Sequence, residues 1–218
     1  MTDRLNIYDL TIIQHNVRNW TNNSFSYSNI YNSINPHIIL INEHSIRTGK
    51  FLKIFNYNTI VSNKSDDNHN GSAIAIRKDI TYRLHDDFYS DLLAITIETI
   101  QGHITIATTY NPPRDDYLNY FDFHKLLHDN RPTIILADLN ARHRRLNHST
   151  TNQTGKQLIY IINKYNLAHH GPVFPTFIGP TENGTPDIVL TNSSFHYNLH
   201  LAPGPLTPSD HVLSLIHI

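Results

Sequence analysis

Two apolar segments that each end in an acidic residue dominate the hydrophobic pattern of this chain. Residues 133–138 read Thr-Ile-Ile-Leu-Ala-Asp, and residues 38–43 read Ile-Ile-Leu-Ile-Asn-Glu. Short, continuous apolar runs of this kind are typical of strands buried on both faces. Each buried strand would therefore place a carboxylate at its end.

Further strands follow from apolar runs and from alternation of apolar and polar residues. Residues 92–100 alternate, with Leu93 and Ile95 on one face and Thr96 on the other. The turn pair Gln101-Gly102 predicts a hairpin with the next strand. The predicted strands besides the two above are residues 10–16, 57–62, 72–77, 92–100, 103–110, 173–178, 186–191, 197–201 and 212–217.

Helical periodicity is confined to a few segments. Residues 24–34 carry Tyr27, Ile30, Tyr31 and Ile34 at the spacing of one helical face, and Asn35-Pro36 ends the helix. The other predicted helices are residues 116–128 with Asp115 as N-cap, residues 154–166, and a short helix near residues 49–55. The buried face of the 116–128 helix is predicted to hold Tyr117, Tyr120, Phe121, His124 and Leu127.

Strands outnumber helices, and they are joined partly by hairpins and partly through helices. This mixture predicts an α/β protein with two packed mixed sheets and helices on the outer faces, a four-layer α/β/β/α sandwich. No low-complexity linker or repeat divides the 218 residues, so residues 1–218 are predicted to form a single domain.

Composition narrows the possible chemistry. The chain has no Cys, which excludes disulfides, a thiol nucleophile and Cys-ligated metals. The formal net charge of -1 does not fit a polycationic binder. No apolar run approaches the ~20 residues of a membrane span, so no membrane partner is expected. The sixteen His residues are scattered without the spacing of a metal-binding helix.

The candidate chemical groups lie at the ends of predicted strands, where ligand sites of layered sheets gather. Asp138 and Asn140 are two residues apart and could reach one point, although an Asx turn that closes the strand would explain the pair equally well. There is no Gly-x-Ser-x-Gly elbow and no Gly-rich phosphate loop. The strand-end groups are Asn16, Glu43, Tyr110, Asp138, Asn140, Asp187, Asp210 and His211.

Carboxylates, amides and one His suit metal-assisted attack of water on a phosphodiester. Glu43 offers the hard oxygen ligands that Mg²⁺ prefers, and Asp138 could orient or deprotonate water. His211, held by Asp187 or Asp210, could stabilise developing charge or transfer a proton. By itself the Asp210-His211 pair is explained more simply as a loop cap with an exposed His.

The ordered set resembles the endonuclease/exonuclease/phosphatase superfamily, which includes deoxyribonuclease I and the apurinic endonucleases. Within it, the chain most resembles the apurinic-endonuclease-like domain of non-LTR (LINE-type) retrotransposon proteins. The motifs that carry the resemblance are Asn16, Glu43, Thr109-Tyr110-Asn111-Pro112-Pro113, Asp138-Leu139-Asn140-Ala141-Arg142-His143, Gly184-Thr185-Pro186-Asp187 and Ser209-Asp210-His211. The same DNase I-like fold is implied by the resemblance.

The resemblance implies a role for each matching residue. Asn16 and Tyr110 would hold the scissile phosphate, and Asp187 would orient His211. The metal, Mg²⁺ or Mn²⁺, would be held by Glu43, Asp138, Asn140 and Asp210. DNA-binding residues are predicted to be Arg18, Asn111, Arg142, His143, Arg144, Arg145, Asn183 and Thr185.

The resemblance further implies a nuclear enzyme that nicks duplex DNA to a 3′-hydroxyl and a 5′-phosphate. Element RNA and reverse transcriptase would be reached only through a longer polyprotein, from which this domain is expected to be excised. Three positions depart from the apurinic-site enzymes: Arg18 replaces an acid, Ala137 replaces Gly, and residues 184–186 lack a bulky aromatic side chain. Alternative functions are apurinic-site repair, another phosphodiesterase or phosphatase of the same fold, and a DNA-binding module without catalysis.

Overall fold

The computed structural model describes residues 4–46, 51–62, 71–85, 87–180 and 183–218. Their strands in chain order are β1 (Thr11–Asn16), β2 (Ile38–Asn42), β3 (Tyr57–Val61), β4 (Ser72–Arg77), β5 (Tyr82–His85), β6 (Leu93–Thr99), β7 (Gly102–Thr108), β8 (Thr133–Asp138), β9 (Ala168–Gly171), β10 (Phe177–Ile178), β11 (Asn183–Gly184), β12 (Asp187–Thr191), β13 (His200–Pro203) and β14 (Ser214–His217). The helices are α1 (Trp20–Ile34), α2 (Tyr120–Leu127) and α3 (Gln153–Lys164), with short 3-10 turns at Ile7–Asp9 and Arg144–Leu146.

Two six-stranded mixed sheets form the centre of the molecule. The first has the order β13-β14-β1-β2-β4-β3, and the second has the order β5-β6-β7-β8-β12-β9. Side chains such as Ile12 and Leu40 from the first sheet pack against Ile106 and Leu136 from the second. Burial of this aliphatic layer is the main force that holds the sheets together.

The helices cover the outer faces of the sheets. Tyr27 and Tyr31 of α1 are fully buried against the first sheet, and Leu158 of α3 with Phe123 of α2 packs on the second. The predicted α/β/β/α sandwich is therefore confirmed. Among the described residues, none of the helices combines the length and the apolar character needed to cross a membrane.

Helix boundaries differ from prediction where an Asn provides the cap. Asn19 Oδ1 accepts the Thr21 N–H, so α1 begins at Trp20. Asn119 caps α2, and the predicted cap Asp115 lies in the preceding loop. The predicted apolar face of α2 is right only for Leu127, which is buried, and for Tyr120, which is half-buried. Residues Tyr117 and Phe121 are exposed, and the buried residues of α2 are Asp122, Phe123 and Leu127.

Several predicted strands were shifted or wrong. Residues 173–176 lie outside any strand, and only Phe177–Ile178 of that segment forms β10. Asn183-Gly184, a residue pair typical of turns, forms β11 and pairs with β10. Residues 51–55 form no helix, while residues 47–50 and 63–70 lie outside the described residues. The edge strands β5 and β9 were not predicted.

The registers of the central strands bring the candidate groups to one edge. β1 and β2 run parallel and end opposite each other at Asn16 and Asn42. β8 and β12 run antiparallel, so the last residue of one, Asp138, faces the first residue of the other, Asp187. Tyr110 forms an isolated bridge with Asp138. Both sheets therefore present polar residues at the same end of the sandwich.

Candidate active site

Two carboxylates and one imidazole form a buried cluster at this edge. One ligand atom each from Asp138, Asp187 and His211 lies within 4.8 Å of the other two. His211 Nδ1 is 3.5 Å from Asp187 Oδ2 and 3.9 Å from Asp138 Oδ2. The cluster is assembled by the β8–β12 register together with the loop before β14.

Asn16 joins this cluster to Glu43 across the two sheets. Its Nδ2 donates to Asp138 Oδ2 at 2.8 Å and to Glu43 Oε2 at 3.1 Å. The Tyr110 hydroxyl donates to the same Glu43 oxygen at 3.1 Å. One hydrogen-bonded network therefore connects Asn16, Glu43, Tyr110 and Asp138.

Burial changes the proton affinities of these groups. Desolvation, followed by the negative charge of Asp187, raises the pKa of Asp138 from 3.8 to about 7. Burial alone would lower the pKa of His211, but the hydrogen bond and charge of Asp187, with Asp138 and Asp210 adding, raise that pKa to about 9. Near neutral pH the site therefore holds a cationic imidazole beside a carboxylate that can take up a proton.

Asp210 is held in an ion pair with Arg18. The Arg18 guanidinium contacts Asp210 Oδ2, and the Arg18 backbone N–H donates to Asn16 Oδ1 at 2.9 Å. The Asp210 carbonyl accepts the Ile178 N–H, which fixes this loop against β10. Asp210 Oδ1 is buried and has no hydrogen-bond partner among the described residues.

Three residues of the site adopt left-handed backbone conformations. Arg18 has φ 52°, Glu43 has φ 54° and Asn140 has φ 47°. Residues with a Cβ adopt this region at a cost of roughly 1–3 kcal/mol, and such strain gathers at functional sites. The sharp turns let each residue leave its strand end and reach the shared edge.

Asn140 lies in the Asx turn that the sequence left open. Its backbone N–H donates to Asp138 Oδ1 at 3.2 Å, and its Nδ2 donates to the Asn111 carbonyl at 3.0 Å. The Asn140 carbonyl accepts from Asn152 Nδ2 at 2.8 Å. Because this turn orients Asp138 as well, its structural role and a role at the site are compatible.

The predicted DNA-binding residues lie in different settings. Asn111 is buried, and its Nδ2 donates to backbone carbonyls, including that of Asp115 at 3.1 Å. Arg142 and Arg144 are exposed, while His143 Nδ1 accepts the Arg145 N–H as the cap of a 3-10 turn. Arg145 contacts Asn163 Oδ1 on α3. In β11 and just after it, Asn183 is exposed and Thr185 is half-buried.

The basic loop at residues 142–152 is anchored at both ends. Asn152 Oδ1 accepts the N–H groups of Arg142 and Gly155, and so caps α3. A Cβ on Gly155 would lie 1.9 Å from the Arg142 carbonyl oxygen, so only glycine allows this close approach. His148 lies beside the Thr185 backbone, so this loop adjoins the segment before Asp187.

Three polar residues that contact the predicted site residues were not among the predicted ones: Gln14, Asn42 and Ser209. Gln14 Nε2 donates to Asp187 Oδ1 at 2.5 Å and to Asn42 Oδ1 at 3.2 Å. Ser209 Oγ donates to the Asn16 carbonyl at 2.8 Å and accepts the His211 N–H. Gln14 precedes Asn16 by two on the same strand, so strand alternation would have indicated it.

The donor set fits a divalent cation with oxygen ligands. Glu43 is half-buried, and one of its carboxylate oxygens, Oε2, is oriented by Asn16 and Tyr110. Asp210 supplies a buried carboxylate oxygen without a partner. A small number of carboxylates beside open solvent is the ligand set that Mg²⁺ and Mn²⁺ take.

Several solved structures share this fold. The endonuclease domain of TRAS1, a telomere-specific non-LTR retrotransposon, superposes with a TM-score of 0.80 at 16% identity, covering 96% of this chain and 98% of that chain. The apurinic endonuclease LMAP from Leishmania major gives 0.74 at 12% identity over 96% and 87%. The catalytic domain of APE2 from Xenopus laevis gives 0.72 at 16% identity over 95% and 91%.

Sequence comparison gives the family directly. No curated protein matches the chain. Residues 104–215, just over half of the chain, match the endonuclease–reverse transcriptase family, and this segment includes Tyr110, Asp138, Asp187 and His211. With the DNase I-like fold and the polar cluster at the sheet edge, this match shows that the chain belongs to the endonuclease–reverse transcriptase family.

Proposed function

We propose that this protein is a divalent-metal-dependent endonuclease that nicks duplex DNA and leaves a 3′-hydroxyl and a 5′-phosphate. The observation that carries the proposal is the hydrogen-bonded network in which Asn16 joins Glu43 to the Asp138–Asp187–His211 cluster. It combines a proton acceptor, a cation and neutral donors at one edge of the sandwich. These are the groups that hydrolysis of a phosphodiester requires.

Asp138 is the proton acceptor in this proposal. Its pKa of about 7 lets the carboxylate take a proton from water near neutral pH. The water oxygen forms a bond to phosphorus while the bond from phosphorus to the 3′ oxygen breaks. The electron pair leaves on that oxygen, which becomes the 3′-hydroxyl after protonation.

His211 and the neutral donors stabilise the charge that develops on the phosphate. His211 carries its proton at neutral pH because Asp187 raises its pKa, so a cation lies beside the reacting group. Tyr110 keeps its proton because burial and the charge of Glu43 raise its pKa, so its hydroxyl remains a donor. Asn16 fixes the distance between Asp138 and Glu43.

Glu43 and Asp210 would hold Mg²⁺ or Mn²⁺. When bound, the ion neutralises charge on the phosphate oxygens and lowers the barrier to attack. Glu43 is preset for this role because Asn16 and Tyr110 both hydrogen-bond Oε2.

Duplex DNA would lie across the edge that carries the site. Arg142 and Arg144 are exposed on an anchored loop, so their cations can contact backbone phosphates, which position DNA without reading bases. The loop adjoins the segment before Asp187, because His148 lies beside the Thr185 backbone. The near-neutral net charge predicts modest affinity with a limited dependence on salt.

A 3′-hydroxyl at the nick would serve as primer for a reverse transcriptase. The family to which the chain belongs combines endonuclease and reverse transcriptase. We therefore propose that the nick primes reverse transcription of element RNA in the nucleus, through a longer protein that contains this domain.

Nicking of supercoiled plasmid tests the proposed activity. The protein should convert supercoiled plasmid to open circles in Mg²⁺, and EDTA should stop the reaction. Asp138→Asn should lower the rate by roughly two to four orders of magnitude, since it removes the proton acceptor. A protein that binds plasmid without nicking it, and is unaffected by Asp138→Asn, would be a binding module and would contradict the proposal.

A further inference from the structure

Acidic groups outnumber basic groups at the edge of the sandwich that carries the site. The carboxylates there are those of Glu43, Asp138, Asp187 and Asp210. The cationic groups in contact with them are the His211 imidazole and the Arg18 guanidinium. His211 lies 3.5 Å from Asp187 and 3.9 Å from Asp138, and Arg18 pairs with Asp210. Four carboxylates against two cations leave up to two negative charges unmatched, and Glu43 has no cationic partner among the described residues.

The backbone holds Arg18 in place for its contact with Asp210. Arg18 adopts φ 52°, and its N–H donates to Asn16 Oδ1. The same Asn16 side chain hydrogen-bonds both Glu43 and Asp138 through Nδ2. Arg18 is therefore connected through Asn16 to Glu43 and Asp138, although its own side chain extends to Asp210. The positive charge of Arg18 also acts on the Tyr110 hydroxyl, which is the second hydrogen-bond donor to Glu43.

We infer that the Arg18 guanidinium is a fixed cation of this site, and that the site consequently binds one divalent cation rather than two. The inference rests on the metal dependence proposed above and specifies the number of ions. One divalent ion balances the negative charge by which the four carboxylates exceed the two cations. A second would share Asp210 with a guanidinium that repels it. Asp210 Oδ1 remains available to the single ion, because only Oδ2 contacts Arg18.

Titration of the metal-free protein with Mn²⁺ by calorimetry tests the inference without any measurement of activity. The wild type should bind one ion per chain, and Glu43→Gln should weaken that binding strongly. Arg18→Gln removes the fixed cation, so the first ion should bind about three- to tenfold more tightly or a second ion should bind. Arg142→Gln is the matched control, because it removes an exposed cation from the basic loop. This control should leave the number of bound Mn²⁺ ions and the affinity for Mn²⁺ unchanged.

The possible outcomes separate the inference from the proposed function. Two ions on the wild type, or an Arg18→Gln protein with unchanged stoichiometry and affinity, would overturn the role of Arg18 and leave metal-dependent nicking intact. A wild type that binds no Mn²⁺ would overturn both. Arg18→Lys keeps the charge and should bind one ion with an affinity close to that of the wild type. It provides the comparison if Arg18→Gln does not give the circular dichroism spectrum of a folded protein.

Discussion

His211 gains its chemical role from its surroundings rather than from its place in the sequence. It is buried, and two carboxylate oxygens lie 3.5 and 3.9 Å from Nδ1. These negative charges outweigh the cost of burying an imidazolium and keep the ring protonated near neutral pH. The simpler explanation of Asp210-His211 as a loop cap with an exposed His is therefore wrong for the His.

Replacement of His211 tests its contribution to catalysis. His211→Ala should lower the single-turnover rate of nicking by roughly two to four orders of magnitude, because a charge at the reacting phosphate is lost. DNA affinity should change little. His196→Ala is a suitable control, since His196 is exposed. Nicking by His211→Ala at the wild-type rate would show that His211 is not part of the catalytic machinery.

His15 is a second buried imidazole, and it predicts how stability depends on pH. Its Nδ1 lies 2.7 Å from the Tyr31 hydroxyl, and its Nε2 lies 3.1 Å from Thr207 Oγ1. Burial, followed by repulsion from His211, lowers its pKa from 6.5 to about 3, against a smaller opposite effect of Asp187. The folded protein thus keeps His15 neutral at pH values where the unfolded chain binds a proton.

The sign of the effect follows from this difference in pKa. The contribution of neutral His15 to the free energy of unfolding is complete above pH 6.5. It is lost as the pH falls from 6.5 towards 3. Between pH 7 and pH 5 His15 should reduce the free energy of unfolding by about 2 kcal/mol. Urea unfolding at both pH values should show a smaller decrease for His15→Gln than for the wild type. Equal decreases in the two proteins would contradict the buried neutral state.

At the scale of elements, the contact between β1 and β12 holds the two sheets in register at the site. Gln14 on β1 donates to Asp187 on β12 and to Asn42 on β2. Gln14 is buried, so loss of its amide leaves Asp187 Oδ1 without this donor. We regard Gln14 as a positioning residue for the Asp187–His211 pair.

Gln14→Met keeps the volume of the side chain and removes the amide. The kcat for nicking should fall about tenfold to hundredfold, because His211 loses its fixed geometry, while KM should stay nearly constant. A purely structural role would lower thermal stability without this selective decrease in kcat. Steady-state kinetics beside a thermal melt distinguishes the two, and an unchanged kcat would remove Gln14 from the positioning network.

The β10–β11 hairpin is the element that we expect to influence the choice of target. It lies beside the site, because the Ile178 N–H donates to the Asp210 carbonyl and the Phe177 ring lies 5.2 Å from the His211 ring. Its strands pair Ile178 with Asn183, and Thr181 and Glu182 lie outside the described residues. An element at this rim could sense the width of a DNA groove.

Exchange of residues 180–183 for a Gly-Ser turn of equal length tests this expectation. Nick positions should scatter, while total nicking should stay within about tenfold, because no catalytic group is removed. Sequencing of nicked plasmid gives the distribution of positions. If the exchanged protein keeps the positions of the wild type, target choice lies elsewhere, and the loop at residues 142–152 becomes the stronger candidate.

The strands that were predicted correctly are continuous apolar segments, and the strands that were missed are not. β2, β4 and β8 were predicted with their observed bounds because continuous apolar residues leave no alternative to a buried strand. β5 and β9 are half-exposed edge strands, so their polar residues give no periodic signal. Several residues that can cap a helix precede the periodic segment of α2. The sequence therefore predicted Asp115 as the N-cap, whereas Asn119 is the N-cap in the structure.

At the scale of the whole molecule, each sheet supplies one half of the site. In the first sheet, Asn16 is the last residue of β1, Glu43 follows β2 and His211 precedes β14. Asp138 and Asp187 belong to strands of the second sheet. The sequence indicated these residues because each lies at a strand end. It could not indicate that Asn16 hydrogen-bonds Asp138, 122 residues away, because that contact depends on how the sheets pack.

The chemistry of the nick ends tests the central claim most directly. Supercoiled plasmid nicked by the wild-type protein in Mg²⁺ should be extended by a DNA polymerase without prior phosphatase treatment, and the 5′ ends should carry phosphate. This result is expected because water attacks phosphorus and the 3′ oxygen leaves. Ends that carry a 3′-phosphate and cannot be extended, or release of phosphate from DNA ends without any nick, would contradict the account.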